Sequence, residues 1–186
     1  METVKTANHS VALEGDTGKF KVFLTADKIE EGFEFIKIEL TSEDEATPQE
    51  IRLTWKHPDI GIHSKWNPGS GYIKGINPDW WGRYTSKATS GAPVEALMDY
   101  SGENKLTIAF SDALNPVTIR AGLNEETANM LCSITLFHEP MPPIKHYEAI
   151  LRLDTRPIPF YKSLDEVQQW WASMPGYEPT PVPEHA

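Results

Sequence analysis

The chain has 186 residues, of which 39% are hydrophobic, 10% aromatic and 24% charged. That is the composition of one folded domain, able to bury about 70% of the surface its unfolded chain exposes without any covalent staple. A total of 17 Lys and Arg against 27 Asp and Glu leaves a net charge of -10, which argues against a nucleic-acid or anionic-membrane partner and suits neutral or cationic ligands. Cys132 is the only cysteine, so an intrachain disulfide and every multi-cysteine metal cluster are excluded. Its apolar setting, Leu131-Cys132-Ser133-Ile134, predicts a buried, inert thiol. No apolar run approaches the roughly 18 residues of a membrane span, and Met1 to Ser10 carry no signal-peptide core. The expectation is a soluble protein, periplasmic or secreted if a leader has been removed and otherwise cytoplasmic.

Residues 1–19 are polar and weakly patterned, with a turn at Glu14-Gly15-Asp16-Thr17-Gly18. Period-two alternation then takes over at Phe20, Val22 and Leu24, at Ile36, Ile38 and Leu40, and at Ile51, Leu53 and Trp55, each reading as a half-buried strand. The acidic stretch Glu43 to Pro48 reads as a solvated hairpin loop. Residues 57–93 are rich in Gly, Pro and aromatics, with no sustained period, and read as a long ordered loop region of the kind that carries function. Alternation resumes at 94–98, 106–110, 117–121, 131–137 and 147–153, for about eight or nine strands in all. Ser163-Leu164-Asp165-Glu166 has the form of a capping box opening a helix to about Met174, with Leu164, Val167, Trp170 and Trp171 on one stripe. Pro-rich 178–183 reads as an extended connector. The fold expected is all-β, an antiparallel β-sandwich over 1–160, followed by a linker helix and Pro-rich tail over 161–186.

The chemistry in the sequence is sparse. The six histidines are scattered, and His57 and His63 read as ordinary loop residues, so neither a metal nor a cofactor is expected. Gly69-Ser70-Gly71 lacks the ending of a phosphate loop. A glycosidase needs two carboxyl groups about 5–9 Å apart, and nothing pairs Asp79, Asp99, Asp112 or Asp154. Asp112 and Asp154 follow strands and read as turn organisers. The segment that stands out is Asn77 to Tyr84. Indole faces stack on the C–H faces of sugars while Asp and Arg side chains bond hydroxyl pairs, so Asp79, Trp80, Trp81 and Arg83 are the candidate substrate-binding residues, with Trp66 a weaker one.

The stretch Tyr147 to Tyr161, the helix with Gln169-Trp170-Trp171, and the connector Tyr177 to Pro183 together resemble the domain junction of family 36 glycoside hydrolases, the α-galactosidases or melibiases. Leu106 to Ala113 is similar to a strand of their N-terminal domain. The resemblance covers residues 90–186. It implies a galactose-mutarotase-like β-supersandwich that packs on a catalytic (β/α)8 barrel of the same full-length chain. The family's catalytic aspartates lie in that barrel, so no residue here inherits them and this chain alone is expected to be inactive. The resemblance also implies that an N-terminal-domain loop reaches the barrel mouth and places a Trp at the galactose pocket, a role that falls to the 79–83 loop. Any homo-oligomer is expected to form through the full-length enzyme. Two other readings are a free-standing carbohydrate-binding module using Trp66, Trp80 and Trp81, and a purely structural or oligomerisation domain.

Overall fold

A computed structural model describes residues 2–58, 61–68, 71–74, 82–86, 93–124 and 129–175, with backbone alone for Lys28 and for residues 71–74, 82–86, 123 and 124. The described residues form two antiparallel sheets packed face to face and one helix, an all-β sandwich. In chain order the strands are β1 Thr3–Lys5, β2 Ser10–Gly15, β3 Lys21–Glu30, β4 Phe33–Ala46, β5 Ile51–Pro58, β6 Ser64–Asn67, β7 Gly71–Lys74, β8 Gly82–Ser86, β9 Val94–Met98, β10 Asn104–Phe110, β11 Val117–Asn124, β12 Asn129–Leu136 and β13 Ile144–Asp154, followed by α1 Phe160–Ala172. One sheet has the order β1-β2-β5-β12-β11-β8, the other β3-β4-β13-β10-β9-β6-β7. No helix among the described residues is long and apolar enough to cross a membrane.

The alternating runs become strands because one face of each is wanted by a common core. Ile36, Ile38 and Leu40 of β4, Leu151 and Leu153 of β13, and Ile108 and Phe110 of β10 meet Leu53, Trp55, Ile119 and Ile134 of the opposite sheet. Cys132 lies in this core as a free, buried thiol, and burial, with Glu95 nearby, pushes it far above its ordinary pKa. The acidic stretch Glu43 to Pro48 is not a hairpin. Glu43 to Glu45 form the exposed end of β4, and the chain then turns into β5 of the other sheet. Alternation marks which face is buried but does not say which sheet a strand joins.

The helix also starts elsewhere than its capping pattern suggests. It begins at Phe160, and Pro159 at the N-cap offers no side-chain cap. Ser163 sits inside the first turn, fully buried, and its hydroxyl donates to Asp154 Oδ2 at 2.7 Å. Tertiary bonding thus outcompetes local capping. The stripe packs as expected: Val167 and Trp171 join Val94 and Ala109 in a second cluster on the outer face of the seven-stranded sheet. Trp171 Nε1 donates to the Phe110 carbonyl at 3.0 Å.

Asp154 fastens the other end of the helix. Its buried carboxylate accepts Arg156 Nε at 2.9 Å and Nη2 at 2.8 Å, with Arg152 Nη2 3.6 Å away. Glu166 of α1 completes the group by pairing with Arg156 and, at 3.6 Å, with Arg152. Both guanidinium groups lie over the Phe33 ring, at 4.4 and 4.0 Å from its centre. The β3–β4 turn is shaped to admit them: Gly32 has φ +73°, and a Cβ there would lie 2.5 Å from Arg156 Cγ. Removing one member of a buried ion cluster leaves the others uncompensated, at a cost of about 3–5 kcal/mol. Asp154→Ala should therefore lower stability by about that amount in chemical denaturation, and Asp154→Asn, which keeps an acceptor for Ser163, by less.

Candidate functional site

Of the residues singled out from sequence, Asp79, Trp80 and Trp81 lie outside the described residues. Arg83 is in β8, whose backbone register sets it opposite Arg120 of β11. Trp66 is in β6, opposite Ala96 of β9, and packs against the cluster beneath α1. There it borders a recess of about 240 Å³ with Leu164, Val167 and Trp171. That is a helix-packing position, remote in role from a loop that displays a free indole. The region 57–93 is not one long loop, since it contains β6, β7, β8 and the end of β5. Lys74, the last residue of β7, pairs with Ser64, and Gly82, the first of β8, pairs with Ala121. The segment bearing Asp79, Trp80 and Trp81 thus joins the edge strand of one sheet to the edge strand of the other.

Next to that edge the interior is polar. Lys65 of β6 is the register partner of Leu97, which puts Lys65 and Glu95 on the same face of neighbouring strands, two positions apart. Both are buried. Burial raises Glu95 to a pKa of about 7, against the pull of Lys65, and burial lowers Lys65, against the pull of Glu95. Neither carboxyl oxygen of Glu95, nor Trp55 Nε1, has a hydrogen-bond partner among the described residues. A carboxyl group that holds its proton near neutrality has the electronic property of a general acid. Full burial denies it a substrate, however, and among the described residues Lys65 is the charged group that acts on it.

A second buried group joins the two sheets. His9 Nδ1 is 2.5 Å from Glu34 Oε2, and His9 Nε2 is 3.0 Å from His57 Nδ1. The backbone N–H of Asn8 donates to Glu34 Oε1 at 2.7 Å. Burial alone would raise Glu34, but hydrogen bonds from His9, Thr6 and Asn8 outweigh it and hold the carboxyl below its usual range. His57 is driven down to about 4, by burial first and by His9 second. His57 is therefore a buried strand residue rather than the loop histidine its Gly- and Pro-rich setting suggests. The chain Glu34–His9–His57 has the form of a relay but ends on a buried nitrogen, and it serves to satisfy polar groups between the sheets.

The other carboxylates are engaged structurally, as their turn positions predict. Asp112 accepts the N–H groups of Leu114 and Asn115 and the hydroxyl of Tyr147, while Asp154 belongs to the ion cluster described above. Glu39, His146 and Glu148 approach one another closely enough to hold a cation. Lys37 Nζ already supplies one, 2.8 Å from Glu148 and 3.5 Å from Glu39. Set against known proteins, the chain matches no family model and no curated protein sequence.

The two buried titrating groups tilt stability in opposite directions. Glu95 is protonated below about 7 when folded but ionises above an ordinary 4.5 when unfolded, so folding loses up to roughly 3 kcal/mol as pH rises across that window. His57 acts in reverse. The unfolded residue takes up a proton below about 6.5 and the folded one only below about 4, so stability falls as pH drops between those values. Glu95→Gln should be more stable than the parent protein at pH 8, with the difference vanishing near pH 4.5. Thermal melts across pH check this, and a pH-independent difference would contradict the assignment.

Proposed function

We propose that this chain is the non-catalytic N-terminal β-supersandwich domain of an α-galactosidase-like retaining glycoside hydrolase. In this reading it packs on the catalytic barrel of the same protein and contributes the aromatic loop Asp79 to Arg83 to galactoside recognition. The observation that carries it is the construction of the junction. The residues on which the resemblance rests, Asp154, Arg156 and Trp171, are the ones that clamp α1 onto the seven-stranded sheet at both of its ends. A connecting helix held this firmly fixes the direction in which the chain leaves the sandwich, which a domain that must present a loop to its neighbour requires.

Two further features support the reading. Glu30 and Glu166 border one recess and Asp112 and Glu148 another, but Glu166 is held by Arg156 and Asp112 by the Tyr147 hydroxyl, and in this reading the two-carboxylate chemistry of glycoside hydrolysis falls to the barrel. The segment with Asp79, Trp80 and Trp81 spans two sheet edges rather than closing a tight hairpin, a place where loops display functional side chains on a rigid frame.

The isolated chain should not hydrolyse an aryl α-galactoside. In the enzyme that carries it, Trp80→Ala or Trp81→Ala should lower kcat/KM for α-galactosides by about tenfold or more, the equivalent of about 1.4 kcal/mol of transition-state binding. The melting temperature should stay unchanged. Wild-type kinetics in both variants would refute the loop's role, and hydrolysis by the isolated chain would refute the non-catalytic reading.

A further inference from the structure

The seven-stranded sheet carries α1 on its outer face, whereas the outer face of the six-stranded sheet has no helix upon it among the described residues. Its relief follows from the strand register. Ala12, Thr54, Ser133 and Arg120 are successive partners across β2, β5, β12 and β11, so a row of short side chains crosses the strands and ends on a long cation. On one side runs the row Glu14, Arg52 and Thr135, and on the other Lys56 and Leu131. Long side chains flanking a row of short ones leave a trough, here about 570 Å³ in volume, within the size range of ligand sites.

The charge in the trough opposes that of the molecule. Arg52, Lys56 and Arg120 line it against a single carboxylate, Glu14, which already accepts the Thr54 hydroxyl at 3.1 Å. Arg52 has its nearest carboxylate, Glu50, at 3.9 Å, an exposed contact that holds it weakly. Lys56 and Arg120 take part in no ion pair among the described residues. In a protein of net charge -10, three cations around one row of hydroxyls form a local positive field.

The backbone narrows the ligand class. The strands flooring the trough are paired on both sides within the sheet, so no free edge is offered for a peptide to extend. Recognition must come from side chains: hydroxyls at Thr54 and Ser133, which both donate and accept, and cations at Lys56 and Arg120. The geometry points to a carboxylate-bearing oligosaccharide of the uronic-acid type, lying across the strands with its carboxylates on Lys56 and Arg120 and its ring hydroxyls on Thr54 and Ser133. The trough ends beside β8, where Arg83 is the register partner of Arg120, but none of the residues assigned to it belongs to the galactoside loop.

Calorimetric titration with tetragalacturonate tests the assignment, with a neutral galactose tetramer and tetraglutamate as comparisons. Tetragalacturonate should bind saturably and weaken with added salt, and the neutral tetramer should bind much more weakly. The charge reversal Lys56→Glu with Arg120→Glu should reduce affinity by at least about tenfold while leaving the melting temperature unchanged. If that variant does not fold, Lys56→Gln with Arg120→Gln gives the same reading. No saturable binding of tetragalacturonate to the wild-type chain would overturn the proposal, as would undiminished binding in a folded variant. Tetraglutamate binding as tightly as tetragalacturonate would make the trough an acidic-peptide site and overturn it too.

Discussion

A carboxylate sealed inside a sandwich must be compensated where it stands, and Asp154 meets that condition by collecting the end of β13, the β3–β4 turn and the first turns of α1. Arg156 grips it in bidentate fashion, Ser163 donates from the helix, and Arg152 brings in Glu166. Arg152 and Arg156 flank Asp154 while Ser163 and Glu166 come from α1, so the ion cluster ties the start of the helix to the end of β13. A hydrophobic contact could have buried as much area, but without the direction that a planar guanidinium imposes on a carboxylate. The apolar half of the attachment, Trp171 under the far end of the helix, then needs only to lie down in register.

At its β6–β9 edge the sandwich behaves differently. Lys65 and Glu95 stand where the rest of the molecule places Leu and Ile, and each feels the charge of the other as well as its own burial. Burying such groups costs free energy that their partners must offset. The domain tolerates that cost beside Ser64, which pairs with Lys74 where the segment proposed for recognition begins, a pattern common at functional sites, where local consistency is given up and offset elsewhere. The Glu34–His9–His57 group is a contrasting case, since it is equally buried but bonded along its length.

What could be read from the sequence follows the same division. Ile36, Ile38 and Leu40, or Ile51, Leu53 and Trp55, declare their strands because an apolar core selects a strict period of two. Strand β2 was also readable in principle, for Val11 and Leu13 alternate with Ser10, Ala12 and Glu14, but the run is short and embedded in polar residues. Strand β6 was not, because its inward residues are Lys65 and Asn67 and its outward Trp66 packs under a helix, which reverses the usual polarity of a strand. The helix stripe was legible and its start was not: Ser163 and Glu166 match a capping box but are claimed by Asp154 and the arginines of the preceding strand and turn. The candidate loop is marked in the sequence by residue type alone, and the trough leaves no local signal because its members are scattered over four strands and meet only through register.

The order of the strands has a consequence for how the domain comes into being. Strand β13, made last, lies between β4 and β10 in the middle of the seven-stranded sheet, with β3 and β4 on one side and β10, β9, β6 and β7 on the other. Until it is in place the two halves of that sheet share no backbone ladder, and each keeps an apolar edge open to solvent. On a ribosome the chain would wait, half-collapsed and prone to stick to other chains, until Asp154 had emerged from the exit tunnel. Closing the sandwich, fastening the helix and quenching those edges then become a single late event, one that rewards whatever shields nascent strands in the meantime.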